Sequence, residues 1–254
     1  MELSLWKMMM NDDTQRLLEH LKDLQRRRDI RGIHTESWFL NEEEQAEAML
    51  KFPPSDQIRY DGGYADARKK KVIFPRDLED DFSDIVCIAA QVDLRFRKIG
   101  HRDILGSLMA LQIDRHSIGD LFLEDEKSLA VIYTDSRMAR FLIDNYHSIA
   151  NLNVSFSETD PVIPQRKQEE IIVNVAALRM DCITAALAHT SRENAKEMIR
   201  QGKVMVNHRL LEKTDALCNN NCTISIRGIG RFTYISERGL TRKNRVTALF
   251  LKEL

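Results

Sequence analysis

The chain has 254 residues, 43% of them hydrophobic and 30% charged, with a formal net charge of −1. That composition excludes a disordered chain and leaves room for two or three domains with cores of their own. No apolar run approaches the roughly eighteen residues that a membrane helix needs, so no membrane span is expected, and the first ten residues lack the basic stretch and small-residue cleavage site of a signal peptide. The near-zero charge hides an asymmetry. Residues 166–254 hold sixteen Lys and Arg against nine Asp and Glu, a net +7, which leaves −8 for the remainder. A basic C-terminal third on an acidic body suits a polyanionic partner. The four cysteines, Cys87, Cys182, Cys218 and Cys222, are scattered. Only the last two lie near each other, and no second ligand pair follows at zinc spacing, so reduced thiols and no metal or cofactor are expected.

In chain order, Leu17, Leu18, Leu21 and Leu24 recur at helix spacing, with Asp12 or Asp13 as candidate caps and Arg26 to Arg28 in the last turn. A second helix is expected over 41–50, with Asn41 as cap, three glutamates in its first turn and Pro53-Pro54 after it. Asp61-Gly62-Gly63 reads as a turn. Residues 1–70 are therefore expected to be a helical N-terminal segment. From 71 to 160 strands and helices alternate. A short strand at 72–74 precedes a near-continuous apolar strand at 85–92, a helix at 101–111, and two strands at 118–123 and 129–133 around an acidic turn. A helix at 135–146 and a last strand at 152–156 complete the order. This β-α-β-β-α-β succession is the split pattern of ferredoxin-like domains, a fold shared by RNA-recognition domains. Pro161 and Pro164 mark a linker, and 166–254 forms a third domain. The class expected overall is α+β.

In that third domain Ser191 should cap a helix over 192–201, which Gly202 closes in the left-handed conformation. Ala195, Met198 and Ile199 should face the core. Arg192, Lys196 and Arg200 share the exposed face, and Lys203 extends it. Val204 and Val206 alternate as a strand that turns at Asn207-His208. Cations fixed along one helix face can track phosphates, the main source of affinity for nucleic acid. Arg179 and Asp181, Ser191-Arg192, Ala195-Lys196, Gly202-Lys203-Val204 and Val206-Asn207 together resemble the S4 domain, a small RNA-binding module named for a ribosomal protein. Met180 stands where that module usually has leucine, and His208 where it has glycine.

The rest of the chain resembles the bacterial YlmH family. The residues that carry the likeness are Phe39-Leu40 with Gln45, Asp61-Gly62-Gly63-Tyr64 and Ala67 to Lys71. They continue with His101 to Gly106, Ile118 to Leu121, Arg227-Gly228, Gly230 to Phe232 and Thr241 to Lys243. Arg68 replaces a frequent glutamate, and Gly100 a small hydroxyl residue. The resemblance implies a cytoplasmic, non-catalytic factor. It would bind large-subunit ribosomal RNA and tRNA, including peptidyl-tRNA, in the rescue and quality control of stalled translation, with protein partners there or in cell division. On this reading the RNA-binding residues are Arg179, Ser191, Arg192, Lys196, Arg200, Lys203, Asn207, His208, Arg231, Arg242 and Lys243. A candidate second RNA surface comprises Tyr64, Arg68, Lys69, Lys70 and Arg102. Phe232 and Tyr234 are read as core aromatics. Two alternatives are an S4-containing RNA-modifying enzyme and a cell-division adaptor. Against the first, His101, Arg102 and Asp103 are adjacent on a helix start and point apart, so no catalytic constellation converges.

Overall fold

The fold is that of a computed structural model, which describes residues 2–95 and 97–253, with backbone alone for residues 2–11 and Asp125. The chain is mixed α and β, and it divides into two compact units, one of residues 11–165 and one holding 166–254. Among the described residues no helix is long and apolar enough to cross a membrane.

Helix α1 (Glu2–Arg31), which belongs to the first unit from residue 11 onward, buries Leu17, Leu21 and Leu24, the apolar stripe legible in the sequence. It runs straight through Asp12 and Asp13, so neither residue caps it. Asn41 does cap α2 (Glu42–Ala48), accepting from the Glu43 and Glu44 amides while Glu44 accepts from the Asn41 amide. The expectation of a purely helical N-terminal segment is corrected. Strands β1 (Thr35–Glu36), β2 (Arg59–Asp61) and β3 (Lys71–Phe74) form an antiparallel sheet in the order β1-β3-β2. Two-residue strands carry no periodicity of their own. They exist because Phe74 and Ile73 pair with Thr35 and Glu36 across forty residues of chain.

The larger sheet of this unit is built from β4 (Ile85–Gln91), β5 (Ile118–Glu124), β6 (Leu129–Asp135) and β9 (Ser157–Thr159), in the antiparallel order β5-β6-β4-β9. Helices α3 (His101–Ala110) and α4 (Ser136–Asn145) cover one face. There Ile104, Leu108, Ala139 and Leu142 pack on Ile88, Ala90, Ala130 and Ile132. Asp135 caps α4 by accepting from the Met138 amide. The strand expected at 152–156 is displaced. Ala150 and Asn151 both take positive φ, 48° and 69°, and fold β7 (Ser148–Ile149) onto β8 (Leu152–Asn153). Val154 and Phe156 then turn into the helix-side core, and the edge strand forms one step later, at Ser157 to Thr159.

Period-two alternation sends Cys87, Ala89, Val131 and Tyr133 to the opposite face of that sheet. This face is also covered: Tyr64, Phe122 and Val162 pack on it, and the Tyr133 hydroxyl donates to the Val162 carbonyl at 2.8 Å.

The second unit has a six-stranded antiparallel sheet in the order β10-β15-β14-β13-β11-β12. Its strands are β10 (Gln168–Val175), β11 (Val204–Val206), β12 (Arg209–Leu210), β13 (Thr223–Ile226), β14 (Gly230–Leu240) and β15 (Val246–Glu253). Helices α5 (Met180–Leu187) and α6 (Arg192–Arg200) complete a core of Val175, Ile183, Leu187, Ile199, Ile224, Tyr234 and Phe250. Ser191 caps α6, accepting from the Asn194 amide at 3.2 Å, and Gly202 closes it at φ 68°.

Candidate nucleic-acid interface

The second unit fixes its cations through one buried anion. Asp181 is fully buried at the start of α5. The Arg179 guanidinium donates to both of its oxygens at 3.2 and 3.1 Å, and Arg192 donates to Oδ2 at 2.7 Å. Burial by itself raises a carboxyl pKa. The hydrogen bonds from Arg192 and Arg179 outweigh that effect and bring Asp181 down to about 2. Both guanidiniums keep an exposed side, at 39% and 50% of their side-chain surface. Each therefore keeps donors for a further anion, and neither can swing away. The sequence marked Arg179, Asp181 and Arg192 through the S4 likeness, not as a triad. That the carboxylate is wholly buried is a tertiary fact.

Along α6 the cations follow as their spacing requires. Lys196 donates to Glu193 at 2.8 Å, and Arg200 lies 3.6 Å from Glu197. Ala195 and Ile199 are buried below them, with Met198 partly so. Surface ion pairs of this kind contribute about 0 to 1 kcal/mol, so a phosphate can displace them. Lys203, exposed just beyond Gly202, makes no side-chain hydrogen bond or ion pair among the described residues. Asn207 and His208 form the β11–β12 turn with φ of 47° and 65°. The Asn207 carboxamide oxygen is occupied, accepting from the Thr223 amide at 2.9 Å. Ser191 is likewise committed to its cap. Both oxygens help shape the surface, while the Ser191 hydroxyl proton and the Asn207 carboxamide nitrogen keep donor capacity.

The β14–β15 hairpin carries a second cationic group. Beyond register shifts at Tyr234–Ser236 and Glu237–Gly239, both strands run on to a turn at residues 241–245. Arg238, Arg242 and Lys243 are exposed there. Arg245 donates to the Asn174 carbonyl at 2.7 Å, which fastens the turn to β10. Arg231 lies at the other end of this hairpin, 3.9 Å from Glu253, and is less accessible. The aromatic residues of 166–254, Phe232, Tyr234 and Phe250, are all buried, as read from the sequence. None of these three rings can therefore stack on an unpaired base, which leaves the exposed His189 and the half-buried His208 as the accessible rings of 166–254.

The candidate second surface is rearranged by one carboxylate. A break in register between Ile118 and Leu121 turns Asp120 out of β5. It accepts from the Tyr64 hydroxyl and from the Arg68 and Lys69 amides. Gly62 and Gly63 make this closure possible. A Cβ on Gly62 would stand 2.3 Å from Ala67 Cβ and 2.4 Å from the Lys69 carbonyl, and one on Gly63 2.7 Å from the Tyr133 ring. The glycine pair serves packing rather than a phosphate cradle. Tyr64 lies tilted against Tyr133 at 4.8 Å, so its ring belongs to the sheet cover. The Lys69 ammonium donates to the Arg115 and Ile118 carbonyls at 3.2 and 2.7 Å, and burial lowers its pKa. Lys70 is half-buried. Arg102 remains exposed at the start of α3, and Lys98, which the sequence reading passed over, is exposed beside it. Burial lowers the pKa of neighbouring His101, as do the charges of Lys69 and Arg68. The Asp120 carboxylate opposes the shift.

Residues 78–162 match a family model described as "Putative RNA-binding domain in YlmH". A relative from Bacillus subtilis (strain 168), named ribosome-associated protein quality control protein P2, is 26% identical over 202 residues, covering 77% of this chain and 78% of the relative. A solved structure titled cell division protein ylmH from Streptococcus pneumoniae is 19% identical, covers 58% of this chain and 87% of that one, and superposes with a TM-score of 0.41. The YlmH likeness carried by the sequence motifs is borne out by the first two findings.

Proposed function

We propose that this YlmH-like chain is a cytoplasmic, non-catalytic RNA-binding factor. It associates with the large ribosomal subunit and with peptidyl-tRNA in the rescue of stalled translation. The observation that carries the reading is the cationic face of α6 and Lys203, seated on the buried Asp181 triad of a unit with net charge +7. The family match and the name of the relative support a ribosome-associated, RNA-binding role. On this reading α5, α6 and the strands after them act as an S4 module. The β5-β6-β4-β9 sheet with two helices on one face is a ferredoxin-like domain. Its other face is covered, so it would not display stacking aromatics there as RNA-recognition domains do. Lys98 and Arg102 are then the better candidates for its RNA contact.

The test is co-sedimentation of the full chain with large ribosomal subunits across a salt series. Replacing Lys196, Arg200 and Lys203 together by alanine should weaken binding and reduce its logarithmic salt slope by roughly one per lost phosphate contact. Retention equal to the unaltered chain at every salt concentration would overturn this interface. Complexes that survive nuclease digestion of cell extracts would favour a protein adaptor instead.

A further inference from the structure

Cys218 and Cys222 close a tight turn whose middle residues, Asn219 to Asn221, are exposed while both cysteines are buried just beneath. Their sulfurs stand 3.0 Å apart. That is well inside the ordinary separation of non-bonded heavy atoms, about 3.5 to 4 Å, and about 1 Å from the bonded S–S distance. The backbone already holds the fold-back. The Cys222 amide donates to the Asn219 carbonyl at 3.2 Å, and Asn221 takes φ 60°. Among the described residues no other pair of cysteine sulfurs makes such a contact; Cys87 is buried in the first unit, and Cys182 shares the core of Cys218 and Cys222 without touching either sulfur at hydrogen-bond distance. The hydrogen bond between the two sulfurs raises the pKa of Cys218 and lowers that of Cys222, so Cys222 is the better nucleophile.

We propose that Cys218 and Cys222 are an oxidation site, a dithiol that hydrogen peroxide converts to a disulfide within the turn. The Cys222 thiolate attacks one peroxide oxygen. The O–O bond breaks, the departing hydroxide takes a proton to leave as water, and Cys222 becomes a sulfenic acid. The Cys218 sulfur then attacks the Cys222 sulfur, the S–O bond breaks, and the hydroxide takes up the Cys218 proton as a second water. Two thiols are oxidised and one peroxide is reduced to two waters. A small-molecule thiol reverses the change by exchange.

The turn has a defined place in its unit. The Cys218 amide donates to the Leu178 carbonyl at 2.9 Å, and the Met180 and Asp181 amides donate to Ala216 and Thr214 at 2.8 and 2.9 Å. Oxidation therefore bears on the segment that holds Arg179 and Asp181. The chemistry itself stands whether or not the chain binds RNA.

The test treats the reduced full chain with hydrogen peroxide, unfolds it, alkylates the remaining thiols and digests it with trypsin. Cleavage after Lys213 and Arg227 leaves both cysteines in one peptide. That peptide should appear unalkylated and lighter by two hydrogen atoms, with the alkylated form restored by prior reduction, while Cys87 and Cys182 stay alkylated. In Cys218→Ser, Cys222 should stop at a sulfenic acid trapped by dimedone. Recovery of the doubly alkylated peptide after peroxide would overturn the proposal. So would oxidation of Cys87 or Cys182 at the same rate as Cys222.

Discussion

Asp181→Asn tests the electrostatic argument most directly. The amide keeps the volume and one acceptor oxygen but removes the charge that two guanidiniums share. Asp181 falls from an ordinary carboxyl value of 3.8 to about 2 in the fold. At about 1.4 kcal/mol for each pKa step, the charged form is favoured by roughly 2 to 3 kcal/mol. The carboxylate is fully buried, but the guanidiniums that hold it are 39% and 50% exposed, so solvent screening lowers the net effect to about 1 to 2 kcal/mol. Neither tryptophan lies in α5 or α6. Hydrogen exchange of peptides from α5 and α6 in the full chain is the appropriate assay. At neutral pH the slowest amides there should exchange roughly five- to thirtyfold faster in the variant. The same stabilisation has a defined pH window. It is complete above the unfolded carboxyl pKa and is lost as pH falls from about 4 through 2. Equal exchange in the two proteins at neutral pH would refute the reasoning. So would unaltered stability of α5 and α6 in the parent chain down to pH 2.

Other substitutions separate structure from binding. Arg192→Ala should loosen α5 and α6 as well as weaken RNA binding. Arg200→Ala should weaken binding alone, lowering the salt slope by roughly 1; equal exchange profiles for the two variants would contradict this division. Gly62→Ala drives a Cβ into Ala67 and the Lys69 carbonyl and should destabilise the first unit by about 1 to 3 kcal/mol. The urea midpoint read from tryptophan fluorescence checks it, and an unmoved midpoint contradicts it. Asp120→Ala frees Tyr64 and the amides of Arg68 and Lys69. Trypsin should then cut between Arg68 and Lys71 several times faster, with an unchanged digestion pattern as the contrary result. Tyr133→Phe removes the bond to the Val162 carbonyl and should lower stability by about 1 kcal/mol in the same urea assay.

The features legible in the sequence are those fixed by near neighbours. The Asn41 and Ser191 caps, the closure at Gly202 and the Asn207-His208 turn each depend on a few consecutive residues, and each stands where it was expected. The apolar stripe of α1 was equally visible, but its start was not. Asp12 and Asp13 are good caps that also tolerate a helix interior, and nothing local forbids the helix from continuing. The β1-β3-β2 sheet was hidden because its shortest strand has only two residues. The last strand of the larger sheet moved because Val154 and Phe156 gain more by burial against the helices than by alternating along an edge. In the candidate interface, spacing revealed which cations share a face, but not which already have partners. Lys69 and Arg192 look alike in the sequence. One ends on backbone carbonyls, and the other shares a buried carboxylate.

The burial of Phe232, Tyr234 and Phe250 bears on how a partner RNA could evolve. On the RNA-binding reading, a surface of exposed cations whose Phe and Tyr rings are all buried responds mainly to the path of a phosphate backbone and little to the bases within it. Paired substitutions that preserve a helix in the partner would therefore be silent to this unit. Its partner could drift in sequence for as long as its shape is kept.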